Sequence, residues 1–376
     1  MNKKILYITC SNKNNLSGGT LCANRNLDCI IDIFGEKNVE TFILSPQIGR
    51  RSVSGKFIKL FEIFKFYGGG LTSSYLGEIM KMMNENKFQQ VFIDSSNLGV
   101  IAKYIKSRFP QTVIYTFFHN VEYDYMISTT LMSGDFKHLF WIANARYNEY
   151  CACKYSSTSI VLNAKDKKRI SHLYKAQNIS IIPITLKDNC TYDLKKESKI
   201  ISTTPNLLFV GSYFPGNTKG LKWFCKKILP HVNAHLTIVG SGMEQLKKTI
   251  KIDCNKLTIH GKVDKLDSFY LNADIIILPI ISGGGMKVKT AEALMWGKYI
   301  IGTKEALEGY NLNKDIAIIC QTKQDFIKAI NNIGSKQKYN YNEQARMIFE
   351  NNYCRKDKIE YNKPRKTVRP IIVKFR

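Results

Sequence analysis

The sequence predicts an α/β protein made of two doubly wound domains. Three observations carry this. The 376 residues are too many for one ordinary hydrophobic core, so two domains are the natural division. Short runs rich in β-branched and aromatic residues alternate with longer amphipathic segments along the chain, as strands and helices do in layered α/β proteins. Most of the short runs are continuously apolar, which suits parallel strands buried on both faces.

The strand candidates follow in order. The first half has "KILYIT", "VETFIL", "QVFID", "TVIYTFF", "SIVL" and "ISIIP". The second has "NLLFVG", "HLTIVG", "KLTIHG", "ADIIILP", "KYIIGT" and "DIAIIC". Between them lie segments of helical spacing, among them "LKWFCKKILPHV", "DSFYLNADI" and "KVKTAEALMW". The stretch "LKDNCTYDLKKESKIISTTP", about residues 186 to 205, is polar and poor in strand signal, and reads as the linker. The expected domains are residues 1–190 and 200–340. A closing helical segment, about 340–362, contains "YNEQARMIFENNY", and a basic tail covers 363–376. Two such domains place ligands at the carboxyl ends of their strands, in the cleft between them.

The hydrophobic content of 44% and aromatic content of 11% exclude a disordered chain. No apolar run approaches the roughly 18 residues that span a bilayer. The opening "MNKKILYITCSN" reads as a first strand rather than a signal peptide, because its apolar part is short and no small-residue cleavage site follows. Ten scattered cysteines without a CxxC pair suit reduced cytosolic thiols. The net charge of +26 concerns partners rather than fold. Nucleic acid, an anionic membrane surface and anionic substrates all satisfy it, and a Lys, Asn and Ile bias from AT-rich coding explains part of it. The tail "KPRKTVRPIIVKFR" fits either a membrane contact or a solvated end.

Five motifs point to chemistry. "ILPIISGGGMKVKTAEALMWGKYIIGT" places a strand, a glycine turn and a helix in succession. Glycines let the backbone approach an anion, and the helix N–H groups and dipole attract it. Lys287 and Lys289 add charge there, and Glu292 lies about a turn and a half into the helix, within reach of a ribose hydroxyl. The plainer reading is a surface turn with solvated lysines. "FFHNVEYDY" puts His119 after a strand, at a cleft-facing position, and a structural histidine is the alternative. Its "EYDY" resembles a metal-binding pair only loosely. "CSNKNNLSGGTLCANRNL" offers Gly18 and Gly19 before a helix, without the GxGxxG spacing of a nicotinamide site. "LTIVGSGMEQL" carries a lone GxG that reads as a tight turn, and "FVGSYFPGNTKGLKWF" places Ser212 and Lys219 after a strand. No Walker lysine motif, HExxH, GxSxG or DxD is present.

In this order and spacing, these residues resemble a GT-B glycosyltransferase of the large retaining group often called family 4. The resemblance covers nearly the whole chain. It is strongest from "NLLFVGSYFPGNTKGLKWF" through "HGKVDKLDSFYLNADIIILPIISGGGMKVKTAEALMWGKYIIGTKEALEGY". It implies two Rossmann-like domains facing each other across a cleft, the first for the acceptor and the second for a nucleotide-sugar donor. The final helix of such folds often crosses back to the first domain. Glu292 matches the last glutamate of an E-x7-E motif and is expected to bind the donor ribose. The first glutamate of that motif falls at Gly284, where the carboxylate is missing. Ser212 stands where many relatives carry an arginine, and Lys219 matches a nearby phosphate lysine. The pair at Lys262 and Val263 resembles a backbone site for the nucleobase. His119 resembles a histidine that touches the donor sugar.

The resemblance therefore implies catalytic roles for His119, Lys287 and Lys289. It implies donor binding by Glu292, Gly284, Gly285, Met286, Val288, Ser212, Lys219, Lys262, Val263, Gly18 and Gly19. The expected reaction moves a sugar to a carbohydrate or lipid-linked acceptor with retention of configuration, in cell-surface polysaccharide or glycolipid synthesis. No cofactor and no metal are expected. The expected location is cytoplasmic, peripheral at the inner face of the membrane. Three other readings stand beside it. They are a basic nucleic-acid-binding protein, which leaves the glycine turns unexplained, another GT-B enzyme such as an epimerase or phosphorylase, and a non-catalytic GT-B subunit.

Overall fold

The computed structural model describes residues 4–10, 18–44, 65–134, 138–250, 255–333 and 339–355. The basic tail and most of the loop before Gly18 lie outside them. The chain divides into two compact units, the first within residues 1–183 and the second beginning at Ile184. All twelve runs read as strands form strands.

The first unit holds β1 (Ile5–Thr9), β2 (Val39–Ile43), β3 (Gln90–Ile93), β4 (Val113–Phe118), β5 (Thr158–Val161) and β6 (Ile179–Ile181). They form one parallel sheet in the order β2-β1-β3-β4-β5-β6. Residues of β1 and β3 are buried throughout, as their unbroken apolar sequences require. Leu6, Ile8, Val91 and Ile93 share a core with Ile79 and Met83 of helix Ser73–Asn86 and with Ile101 and Ile105 of helix Gly99–Arg108.

After a two-residue strand β7 (Leu186–Lys187), the second unit holds β8 (Asn206–Val210), β9 (His235–Val239), β10 (Leu257–His260), β11 (Ile275–Leu278), β12 (Tyr299–Gly302) and β13 (Ala317–Ile319). These six are again parallel, in the order β10-β9-β8-β11-β12-β13. The chain runs outward from β8 in one direction, then returns to place β11 on its other side. The loops after β8 and β11 therefore diverge at a topological switch point, where α/β sheets bind ligands.

The polar stretch read as a linker is tied to the second unit by backbone pairing. Leu186–Lys187 pairs with β14 (Cys354–Arg355), and Ile200 bridges Tyr339. The candidate closing helix is α-helical over Glu343–Ile348 and becomes a π-turn at Phe349–Tyr353. Its Arg346 donates to Met295 O at 2.6 Å and ion-pairs with Asp188, both in the second unit.

Candidate active site

The glycine turn after β11 folds as the sequence suggests, and a helix follows at Val288–Met295. Gly283 and Gly285 have φ of 148° and 62°, values that L side chains rarely adopt. The turn brings Gly284, Gly285, Met286, Lys287, Val288, Lys289 and Glu292 onto one strand-to-helix junction. Among the described residues no side chain caps the helix start; Thr290 N turns back to Lys287 O at 3.0 Å, which leaves the N–H groups of Val288 and Lys289 for other partners.

The two lysines have different surroundings. Lys287 Nζ donates to Gly285 O at 2.8 Å, Gly284 O at 3.3 Å and Glu305 Oε1 at 2.8 Å. An ammonium has three N–H donors, and these three acceptors account for all of them. Lys287 is thus a tie that shapes the turn, and Tyr310 Oη adds a bond to its carbonyl at 2.7 Å. Lys289 reaches instead to the neighbouring loop. Its Nζ donates to Asn217 Oδ1 at 3.1 Å and lies 5.5 Å from the centroid of the Phe209 ring. With one acceptor met among the described residues, two donors stay uncommitted. Burial pushes the Lys289 ammonium down to about 8, with Lys287 adding to the shift and Glu292 opposing it. An ammonium so placed gains most from an arriving anion.

Asn217 sits near the start of helix Pro215–Lys227, which follows β8. Its Nδ2 donates to Ser212 O at 2.8 Å, so Ser212 joins the site through its carbonyl. Lys219, on the same helix, is exposed. Glu292 is partly buried, and Tyr270 Oη donates to its Oε2 at 3.4 Å. Burial raises its carboxyl, while Lys289 and Tyr270 draw it back. Tyr270 in turn stacks on Trp296 with ring centroids 5.3 Å apart. Lys262 and Val263 follow β10, the first exposed and the second partly buried. The lone GxG is a tight turn. A methyl group at Gly240 would lie 2.0 Å from Gly211 O, so close packing explains that glycine without a ligand.

His119, Gly18 and Gly19 belong to the first unit. Gly18 opens helix Gly18–Phe34. His119 follows β4 and donates from Nε2 to Asp94 O at 2.8 Å, with Asp94 Oδ1 at 3.6 Å. Asp94 is buried and also accepts from Asn26 Nδ2 at 2.6 Å and Thr9 Oγ1 at 3.3 Å. Burial opposes protonation of His119, but Asp94 and Cys22 outweigh it and hold the imidazole well above its ordinary value. In the "EYDY" stretch, Asp124 accepts a two-pronged bond from Arg169, 2.7 Å on each side. Glu122 begins the next helix, and its N–H donates to buried Glu149 Oε1 at 2.7 Å.

Residues 204–335 match the family model described as Glycosyl transferases group 1. Similar solved structures include sucrose-phosphate synthase from Thermosynechococcus elongatus, with TM-score 0.69 and 13% identity over 94% of this chain and 95% of that one. Another is HepE of Anabaena in complex with UDP and glucose, with TM-score 0.63 and 12% identity over 94% and 96%. The chain has the GT-B fold. Among curated proteins, the GT-B chain resembles an uncharacterized 44.6 kDa protein in the cps region of Klebsiella pneumoniae, 33% identical over 121 residues. That match covers 29% of this chain and 31% of the relative. Four residues that shape this junction carry no motif signal. Asn217, Glu305, Tyr270 and Tyr310 act through contacts 18 to 72 positions away in sequence, and only the proline opening the helix at 215 hinted at the place of Asn217.

Proposed function

We propose that this protein is a glycosyltransferase that takes a sugar from a nucleotide-sugar and joins it to a carbohydrate or lipid-linked acceptor. The observation that carries the reading is Lys289, a partly buried ammonium with two donors uncommitted among the described residues, beside a helix start that no described side chain caps. Such a place suits a diphosphate. The group 1 family match over the same unit supports it, as does the UDP bound by the structurally similar HepE. The cps-region relative supports a role in surface polysaccharide.

When the bond between the anomeric carbon and the phosphate oxygen breaks, negative charge grows on the leaving diphosphate. Lys289 and the helix N–H groups stabilise it without reorganising, an effect commonly worth about 2.7–4 kcal/mol per donor. The acceptor hydroxyl attacks from the face of departure, retaining configuration, and the leaving phosphate takes its proton. Glu292 holds the donor ribose. No metal takes part in this scheme. The net charge of +26 draws the protein to anionic membrane and lipid-linked acceptors. A panel of UDP-, GDP- and ADP-sugars, scored for nucleoside diphosphate release with and without chelator, is the test. Release that needs an acceptor and ignores chelator is expected. No binding and no release across the panel would leave a non-catalytic GT-B protein.

A further inference from the structure

We infer that Glu305 orients the donor sugar, as the carboxylate that stands over the glycine turn. The inference rests on the nucleotide-sugar reading above. Residues 283–285 have no side chains, so the turn offers a sugar only backbone groups, while a hexose carries several hydroxyls that need acceptors. Glu305 comes from the segment after β12 and supplies one. A methyl group at Gly283 would lie 3.8 Å from its Oε1. Lys287 Nζ joins that oxygen to the carbonyls of Gly284 and Gly285, which holds the carboxylate against the turn. Oε1 accepts this one bond, and among the described residues Oε2 accepts none. The side chain is 26% exposed. A carboxylate has about four lone-pair sites, so most of its capacity faces outward.

The segment that carries Glu305 is pinned on both sides. Thr303 Oγ1 donates to Ile280 O before the turn, and Ala306 N donates to Thr303 Oγ1 at 3.2 Å. Thr290 Oγ1, inside the helix after the turn, donates to Ala306 O at 2.8 Å. Glu305 is therefore held by the elements that shape the candidate phosphate seat. A carboxylate so fixed accepts two adjacent sugar hydroxyls through charge-assisted hydrogen bonds and discriminates against sugars that lack them. Glu292 has a different setting, partly buried under Tyr270. The two carboxylates thus divide the donor between them, Glu292 for the ribose and Glu305 for the transferred sugar.

The split between nucleotide-sugar and bare diphosphate is the readout. Isothermal titration uses UDP with UDP-glucose, and GDP with GDP-mannose, on wild type, Glu305→Ala and Glu305→Gln. The alanine variant should lose about 10- to 100-fold in affinity for the nucleotide-sugar, the worth of one or two bonds to a charged group, and keep its affinity for the matching diphosphate. Glu305→Gln leaves Lys287 an acceptor, so it keeps the turn intact and isolates the sugar contact if the alanine variant fails to fold. An equal loss on both ligands assigns Glu305 to holding Lys287 alone and overturns the inference, as does no loss on either. Failure of the wild type to bind any of the four overturns the donor-site reading and this assignment with it.

Discussion

Lys289 Nζ donates to Asn217 Oδ1 at 3.1 Å, so a cation rooted in one helix is delivered to the first turn of another. The two helices follow β8 and β11, strands that are neighbours in the sheet but 68 residues apart between Asn206 and Asp274, where their starts are joined by a side-chain bond. The ammonium therefore sits at the switch point of the fold, where two helix starts converge.

The two lysines of the turn should fail in opposite ways. Lys289→Met removes a donor from the phosphate seat and should weaken nucleoside diphosphate binding about tenfold or more, with little change in melting temperature. Lys287→Met strands two carbonyls and a carboxylate, and should cost about 1–3 kcal/mol of stability, less than a fully buried pair because Glu305 is partly exposed. Titration calorimetry and thermal melts separate the two. Wild-type stability in Lys287→Met together with lost binding would reverse the assignment.

Binding should depend on pH through Lys289. Burial brings its ammonium down to about 8, and a diphosphate prefers the charged form. Affinity should hold below that value and fall as pH rises through it, by up to about tenfold per unit. Asn217→Asp places a carboxylate beside the ammonium and should move the midpoint upward while weakening affinity near neutrality. An unmoved midpoint in that variant would detach Lys289 from the profile.

Glu292→Ala should abolish transfer and weaken nucleotide-sugar binding by about 10- to 100-fold while the protein stays folded. The one acceptor it removes from Tyr270 lies at 3.4 Å, too long to hold much stability. Steady-state kinetics with a melting curve checks this. Unchanged turnover would remove Glu292 from the site.

Buried Glu149 offers a test of the first unit. Desolvation raises its carboxyl from 4.5 to about 8 against the pull of Tyr174, whose Oη donates to Oε2 at 2.6 Å. The folded chain keeps a proton that the unfolded chain releases, so stability is full below 4.5 and falls as pH rises toward 8. The slope is about 1.4 kcal/mol per pH unit. Glu149→Gln should flatten it in urea unfolding across that window. An equally steep variant would place the titration elsewhere.

The strands were legible because burial on both faces writes itself as unbroken apolar sequence, as in "DIIIL" before the turn. The glycine turn and its helix were legible because their backbone needs particular residues. The sequence does not show which lysine keeps donors to spare. Lys287 and Lys289 look equivalent in "MKVKT", and the difference lies in Glu305 and Asn217, which approach from other loops. The closing helix forms where the sequence places it, with one feature that spacing leaves out. Its apolar spacing persists through Tyr353, but the backbone widens into a π-turn at Phe349, which spacing does not record.

The saturation of Lys287 also bears on what can replace it. Three acceptors converge on one compact ammonium, whereas a guanidinium spreads its donors in a flat fork. Arginine at this position would preserve the charge and still prise the turn open. Selection acting here would therefore guard a shape, and a substitution matrix that scores the exchange as mild would misjudge it.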